Sequence, residues 1–148
     1  MATFAENRKA GFNYETLETM DAGIELLGFE VKSVKKGQCS LEGAYSIVRG
    51  GEAYIIGMHI SPYQGANTPK EYDPLRTRKL LLTKKEINEL ADKEAVKGLT
   101  IVPLSLYNKG RRIKVSIGIA RGKKRFDKRE TIKKRETERE IRRTLKNE

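Results

Sequence analysis

The chain has 148 residues, 31 of them Lys or Arg and 20 Asp or Glu, for a formal net charge of +11 and a pI near 9.8. One His and one Cys exclude an intrachain disulfide, a cysteine metal cluster and most hydrolytic chemistry. No apolar run approaches the ~18 residues that span a bilayer, and the N-terminal residues lack a signal-peptide core. The balance points to an acidic partner: RNA, DNA or an anionic surface.

In chain order, residues 1–13 are short and polar, with a small cationic arm at Asn7, Arg8 and Lys9. Leu17, Met20, Ile24 and Leu27 recur at spacings of 3, 4 and 3, which predicts an amphipathic helix stopped by Gly28. Asp21 reads as a solvated position on it, and Gly23 as a close packing contact. From Phe29 the period changes to two, which predicts a strand ending at Gly37.

Two further β-rich runs, 44–49 and 53–60, flank Gly50-Gly51, a two-residue hairpin signal. His59 falls in the second run and reads as an ordinary strand residue. Residues 61–73, with Pro74 following, form a loop long enough to be functional or mobile. It ends in Arg76, Arg78 and Lys79, which predict positive charge at one rim of a sheet. Leu80 to Leu82 are core, although one of three consecutive strand leucines must face away from the other two.

Thr83-Lys84-Lys85-Glu86 is a capping box, which predicts a helix ended by Gly98. Leu99–Tyr107 and Ile113–Ala120 are two more strands, turned at Asn108-Lys109-Gly110, and Pro103 belongs at an edge or a bulge. Arg111, Arg112 and Lys114 make a basic patch beside that turn. The order predicts a mainly β (α+β) fold: a small antiparallel OB-like barrel over residues 1–120 with two to three helices.

Residues 121–148 form a basic tail with 13 Lys or Arg against 6 Asp or Glu. Its few apolar residues cannot offset the entropy of ordering it. Asp127 and Glu130 resemble a capping box that starts a helix near Lys128. The tail is therefore predicted to be disordered when free and helical when a polyanion neutralises it. Phe126 inside the basic cluster adds a stackable ring. No nucleophile–base pair, phosphate loop or metal set can be assembled, so an RNA-processing enzyme is disfavoured and no cofactor is expected. A structural ribosomal protein with an rRNA-threading tail fits the composition as well as an RNA-binding adaptor does.

The segments Asn7-Arg8-Lys9-Ala10, Asp21-Ala22-Gly23, Gly28-Phe29-Glu30-Val31-Lys32-Ser33, Asp73 to Leu82, Leu104-Ser105-Leu106-Tyr107 and Ala120 to Arg129 resemble the SmpB family, the SsrA-binding proteins that partner transfer-messenger RNA in bacterial ribosome rescue. The resemblance implies an OB-like barrel that grips the tRNA-like domain of that RNA through Asn7, Asp21 and Leu81. With the basic residues around them, the expected contact set is Asn7, Arg8, Lys9, Asp21, Gly23, Lys32, Arg76, Arg78, Lys79 and Leu81. It also implies a tail that enters the empty decoding centre and mRNA channel of the small subunit (16S RNA), placing Gly122, Lys123, Lys124, Phe126, Asp127, Lys128 and Arg129 there. Asp21 stands where that family usually has Glu, Phe126 where it has His or Tyr, and Asn108 where it has Trp. A cytoplasmic adaptor, monomeric off RNA and away from membranes, is the expectation.

Overall fold

A computed structural model describes residues 2–63 and 68–123, together with Arg129, Arg135, Glu136 and Arg139. Over residues 2–123, the described strands and helices follow in the order β1 (Thr3–Glu6), α1 (Arg8–Asn13), β2 (Tyr14–Ile24), α2 (Gly28–Lys35), β3 (Cys39–Ser40), β4 (Tyr45–Arg49), β5 (Glu52–Ile56), β6 (His59–Ile60), β7 (Arg78–Leu81), α3 (Lys84–Glu94), β8 (Leu99–Lys109) and β9 (Arg112–Gly122). Seven strands form one antiparallel sheet in the order β1-β8-β4-β5-β7-β2-β9, and β9 also pairs with β8. That last pairing closes a ring from β8 through β4, β5, β7, β2 and β9, the barrel that the sequence predicts. Ring closure leaves those strands no long unpaired edge.

The hairpins follow from glycine. Gly50 and Gly51 have φ of 60° and 75°, which suits a primed turn between β4 and β5. The β8–β9 turn lies one or two residues later than expected, at Gly110-Arg111, because Lys109 pairs with Arg112. The register of β8 slips between Pro103 and Ser105, so the proline does sit at a bulge. α3 carries the expected capping box: Thr83 Oγ1 accepts from the Glu86 N–H at 3.2 Å, and the Glu86 carboxylate accepts from the Thr83 N–H at 2.9 Å. Ile87 and Leu90 of α3 join a core built from Leu41, Ile55, Met58, Ile60, Leu80, Ile101, Leu106, Val115 and Ile117.

Two elements are exchanged relative to the sequence reading. Residues 14–24 are a strand, not a helix, paired along β9 and at its end with β7. A register shift between Thr16 and Glu18 sets Leu17 out of phase, and beyond it Met20, Ala22 and Ile24 face inward at period two. One bulge added to a period of two imitates the helical spacing. Conversely, residues 28–35 are a helix, whose buried face is Glu30, Ser33 and Val34. The arm at Asn7–Lys9 is also structured, as the cap and first turn of α1.

The buried Glu30 explains α2. Its carboxylate is fully enclosed, at 0% relative exposure, and so is the Arg78 side chain. Arg78 donates to Glu30 Oε2 from Nε (2.8 Å) and Nη2 (2.6 Å), and to the Met58 carbonyl from Nη1 (2.6 Å). Arg76 donates to both Glu30 oxygens, and the Leu27 N–H donates to Oε1 at 2.8 Å. The Tyr72 hydroxyl lies 2.7 Å from Oε2, accepts from Arg78 Nη2 at 2.9 Å, and its ring meets Phe29 edge-on at 4.7 Å. The expected cationic rim is therefore corrected: Arg78 is inside the fold, and Arg76 is half-buried on the same carboxylate.

Burial acts to raise the Glu30 pKa, but the donors from Arg76, Leu27, Tyr72 and Arg78 overcome it and hold the group at about 2 instead of 4.5. Burial, followed by the Glu30 acceptor, pushes Tyr72 up to about 12. A carboxyl depressed in the folded state contributes its full stabilisation above the unfolded pKa and loses it as pH falls through the folded one. Unfolding free energy should therefore drop by roughly 3 kcal/mol as pH falls from 5 towards 2, and urea melts of Glu30→Gln should lack most of that slope. At neutral pH, Glu30→Ala strands a buried guanidinium and should cost about 3–5 kcal/mol in the same melts.

Candidate nucleic-acid interface

Register builds the site. Gly23 of β2 pairs with Leu81 of β7 on one side and with Lys114 of β9 on the other, and Lys114 pairs in turn with Tyr107 of β8. One row across four strands therefore presents Leu81, Gly23, Lys114 and Tyr107. The next row outward-facing on β2 presents Asp21, opposite Ser116. Because Arg78 and Leu80 point inward, Lys79 and Leu81 point outward, and Leu81 is 51% exposed. It is the leucine of the three that faces away.

Gly23 has a specific reason to be glycine. A Cβ there would stand 3.0 Å from the Leu81 Cβ, so the missing side chain lets Leu81 lie across the strand. Gly23, Ile24, Leu26, Val31, Leu81 and Ile113 line a groove whose remaining walls are Lys35, Arg111, Arg112 and Lys114. An apolar floor with a cationic margin suits RNA, whose unstacked bases need apolar contact while its phosphates need positive charge. On the other flank, Asp21, Lys79, Leu81, Thr83 and Lys114 line a second hollow, in which Lys79 pairs with Glu52 at 3.5 Å.

Tyr107 stands beside Asp21 in a polar hollow lined also by Thr3, Ser105, Lys109 and Ser116. Burial and then the neighbouring Asp21 carboxylate push the Tyr107 hydroxyl up to about 12. Asp21 itself is exposed.

The other expected site residues are dispersed. Asn7 is largely committed to structure: its Nδ2 donates to the Pro103 carbonyl at 2.8 Å, and its Oδ1 accepts from the Ala10 N–H at 3.2 Å to cap α1. Arg8 is exposed, and Lys9 pairs with Glu42 at 2.5 Å. Lys32 and Lys36 lie over the Tyr63 ring at 5.7 and 4.8 Å. Arg78 has no surface to offer. Lys35, Val31 and Ile113 belong to the groove but not to the expected contact set. The spacing that could have found them is the i, i+4 separation of Val31 and Lys35, visible only once residues 28–35 are read as a helix.

At the far end of β9, Arg121 and Gly122 are still paired, with Glu15 and Tyr14, so this strand runs two residues past the Ala120 end expected for it. The Arg121 hydrogen bond and charge hold the Glu15 carboxyl below its usual range. Lys123 donates from its backbone N–H to the Asn13 carbonyl at 2.8 Å and from Nζ to the Gly11 carbonyl at 3.0 Å. Lys124, Phe126, Asp127 and Lys128, with the expected Asp127–Glu130 cap, lie outside the described residues. Arg129 has helical backbone and is exposed, as are Arg135, Glu136 and Arg139.

A closed β-barrel carrying a basic, leucine-centred outer face defines a nucleic-acid-binding protein of the barrel class. The family model described as "SmpB protein" matches residues 4–147. An SsrA-binding protein of Gloeothece citriformis is 53% identical over 141 residues, covering 95% of this chain and 91% of the relative. One from Enterococcus faecalis is 48% identical over 143 residues, covering 97% and 92%. A solved structure from "tmRNA-SmpB: a journey to the center of the bacterial ribosome" superposes with a TM-score of 0.68 at 44% identity, covering 86% of this chain and 92% of that one. The chain belongs to the SmpB family. Among the described residues no helix is long and apolar enough to cross a membrane.

Two outcomes test the face. Leu81→Ala removes an exposed side chain, so its stability should stay within about 0.5 kcal/mol of the parent in thermal melts, while RNA affinity falls. Lys114→Gln should reduce the slope of log affinity against log salt by about one, as expected for one lost phosphate contact, with little change in base preference.

Proposed function

We propose that the chain is an RNA-binding adaptor that holds the tRNA-like domain of transfer-messenger RNA on its barrel and delivers that RNA to stalled ribosomes. The observation that carries this reading is the Leu81–Gly23–Lys114 row, flanked by Asp21 and rimmed by Lys35, Arg111 and Arg112. It lies within a chain about half identical, almost end to end, to proteins named for binding SsrA. The barrel supplies affinity through phosphate contacts that position the RNA and an apolar contact at Leu81. The Arg8–Lys9 arm and the Lys32–Lys36 pair extend the positive surface beyond the groove.

The tail has the second role in this reading. Its cationic side chains enter the vacant decoding centre and mRNA channel, against small-subunit 16S RNA, and order there as phosphates neutralise them. Gly122, Lys123 and Arg129, with Lys124, Phe126, Asp127 and Lys128, take up that position. The protein acts in the cytoplasm, as a monomer until it meets RNA.

The two roles separate in one experiment. A chain ending after Lys123 should bind the tRNA-like domain within about twofold of the full-length protein at moderate salt, since the barrel supplies the specific contacts. It should fail to support peptide tagging on ribosomes stalled without a codon. Loss of RNA binding by the truncated chain would overturn the assignment of affinity to the barrel.

A further inference from the structure

α1 is a short helix held in place from outside. At its start, Asn7 donates from Nδ2 to the Pro103 carbonyl at 2.8 Å and from its backbone N–H to the Leu104 carbonyl at 2.8 Å. In its middle, Ala10 is buried in a cluster with Val102 and Ala120. The last carbonyls of a helix lack intrahelical partners and favour a nearby cation, yet α1 has no basic residue in its own last turn. Lys123, 112 residues beyond Gly11, fills that role. Its N–H donates to the Asn13 carbonyl at 2.8 Å and its Nζ to the Gly11 carbonyl at 3.0 Å.

Those two bonds fall where the barrel stops and the tail begins. β9 ends at Gly122, where an added Cβ would meet nothing within 4 Å, so side-chain packing does not set the chain's course there. At Lys123 two substituents of Cα are held, the nitrogen by Asn13 and the side chain by Gly11. Tetrahedral geometry then fixes the third, the Cα–C bond that leads to Lys124. Of the two soft backbone dihedrals, φ is set and ψ alone is left to turn. A lysine that served only to meet phosphate would need neither bond.

We propose that α1 is the seat that aims the tail, and that Lys123 is the positioning residue that fastens the tail's root to it. This deepens the proposed function and rests on the tail's role there. Lys123 reaches the decoding centre still bound to α1, and the residues after it set out along one course. Asn7 belongs to the same chain of contacts, because it holds the seat against β8.

Two measurements on the full-length chain test this. The first follows amide hydrogen exchange without RNA. Lys123→Met keeps the backbone N–H and an unbranched stem but removes the ammonium. Protection of that N–H should then fall about tenfold, the worth of one lost hydrogen bond to a charged group. Unchanged protection would overturn the proposal. The second measures the rate of peptide tagging on stalled ribosomes, with protein and transfer-messenger RNA both in excess. Asn7→Ser keeps an oxygen for the Ala10 N–H but gives up the bond to Pro103. Each substitution should slow tagging severalfold, and the double variant should be no slower than the slower single one, since both act through α1. Losses that multiply would mean that the two residues act independently, and would overturn the proposal as well. Failure of the parent chain to support tagging would instead remove the reading on which it rests.

Discussion

The contact between the Glu30 carboxylate and the Arg78 guanidinium holds the rest of the molecule in place. Both groups are sealed from water, and burying either alone would be prohibitive. Together they satisfy each other, with Arg76, Tyr72 and the Leu27 N–H meeting the remaining acceptor capacity. α2 is thereby tied at one point to the 68–77 connection and the β7 strand that continues it, with partners 42 to 48 residues further along the chain. The Ser33 hydroxyl adds a bond to the Ser61 carbonyl at 2.7 Å, which seats the helix on the same loop. Such a network is weak evidence for high stability, since a well-packed apolar substitute can do as well. What it fixes here is phase. With Arg78 inward, β7 has one alternation available, and that alternation puts Leu81 and Lys79 outside. The interior ion pair thus sets the exterior pattern of β7.

The same pair marks where sequence reading succeeds and where it stops. The hairpin at Gly50-Gly51, the capping box at Thr83–Glu86, the bulge at Pro103 and the outward member of the leucine run are local, each decided by backbone geometry or side-chain alternation over a few residues. α2 is not local. Its buried face contains a glutamate, which any hydrophobic pattern counts as solvent-facing, and the face becomes coherent only beside arginines 46 and 48 residues away. β2 failed for the opposite reason: a bulge at Leu17 displaced its pattern enough to resemble a helical stripe, and long pairing with β9 overrode it.

The candidate site was legible in its parts and not in its assembly. Asp21, Gly23, Lys79 and Leu81 could be named from a resemblance, and Arg111, Arg112 and Lys114 from charge. That they form one surface depends on the pairing of β2 between β7 and β9. Arg76 and Arg78, in contrast, carry the charge expected of an interface and expend it indoors. A positive residue in a basic protein is therefore not evidence of a phosphate contact until its neighbours are known.

β9 links the two ends of this arrangement. It runs unbroken from Arg112, beside the groove, to Gly122, where Lys123 is fastened to α1 by two hydrogen bonds. At roughly 3.3 Å per residue, its eleven residues make a rod of about 33 Å. Because β9 is clamped by β2 along one edge and β8 along the other, it can neither stretch nor slide. The distance from the groove to Lys123 is thus a constant of the barrel, and the two ends of β9 behave as the jaws of a calliper locked at a set span.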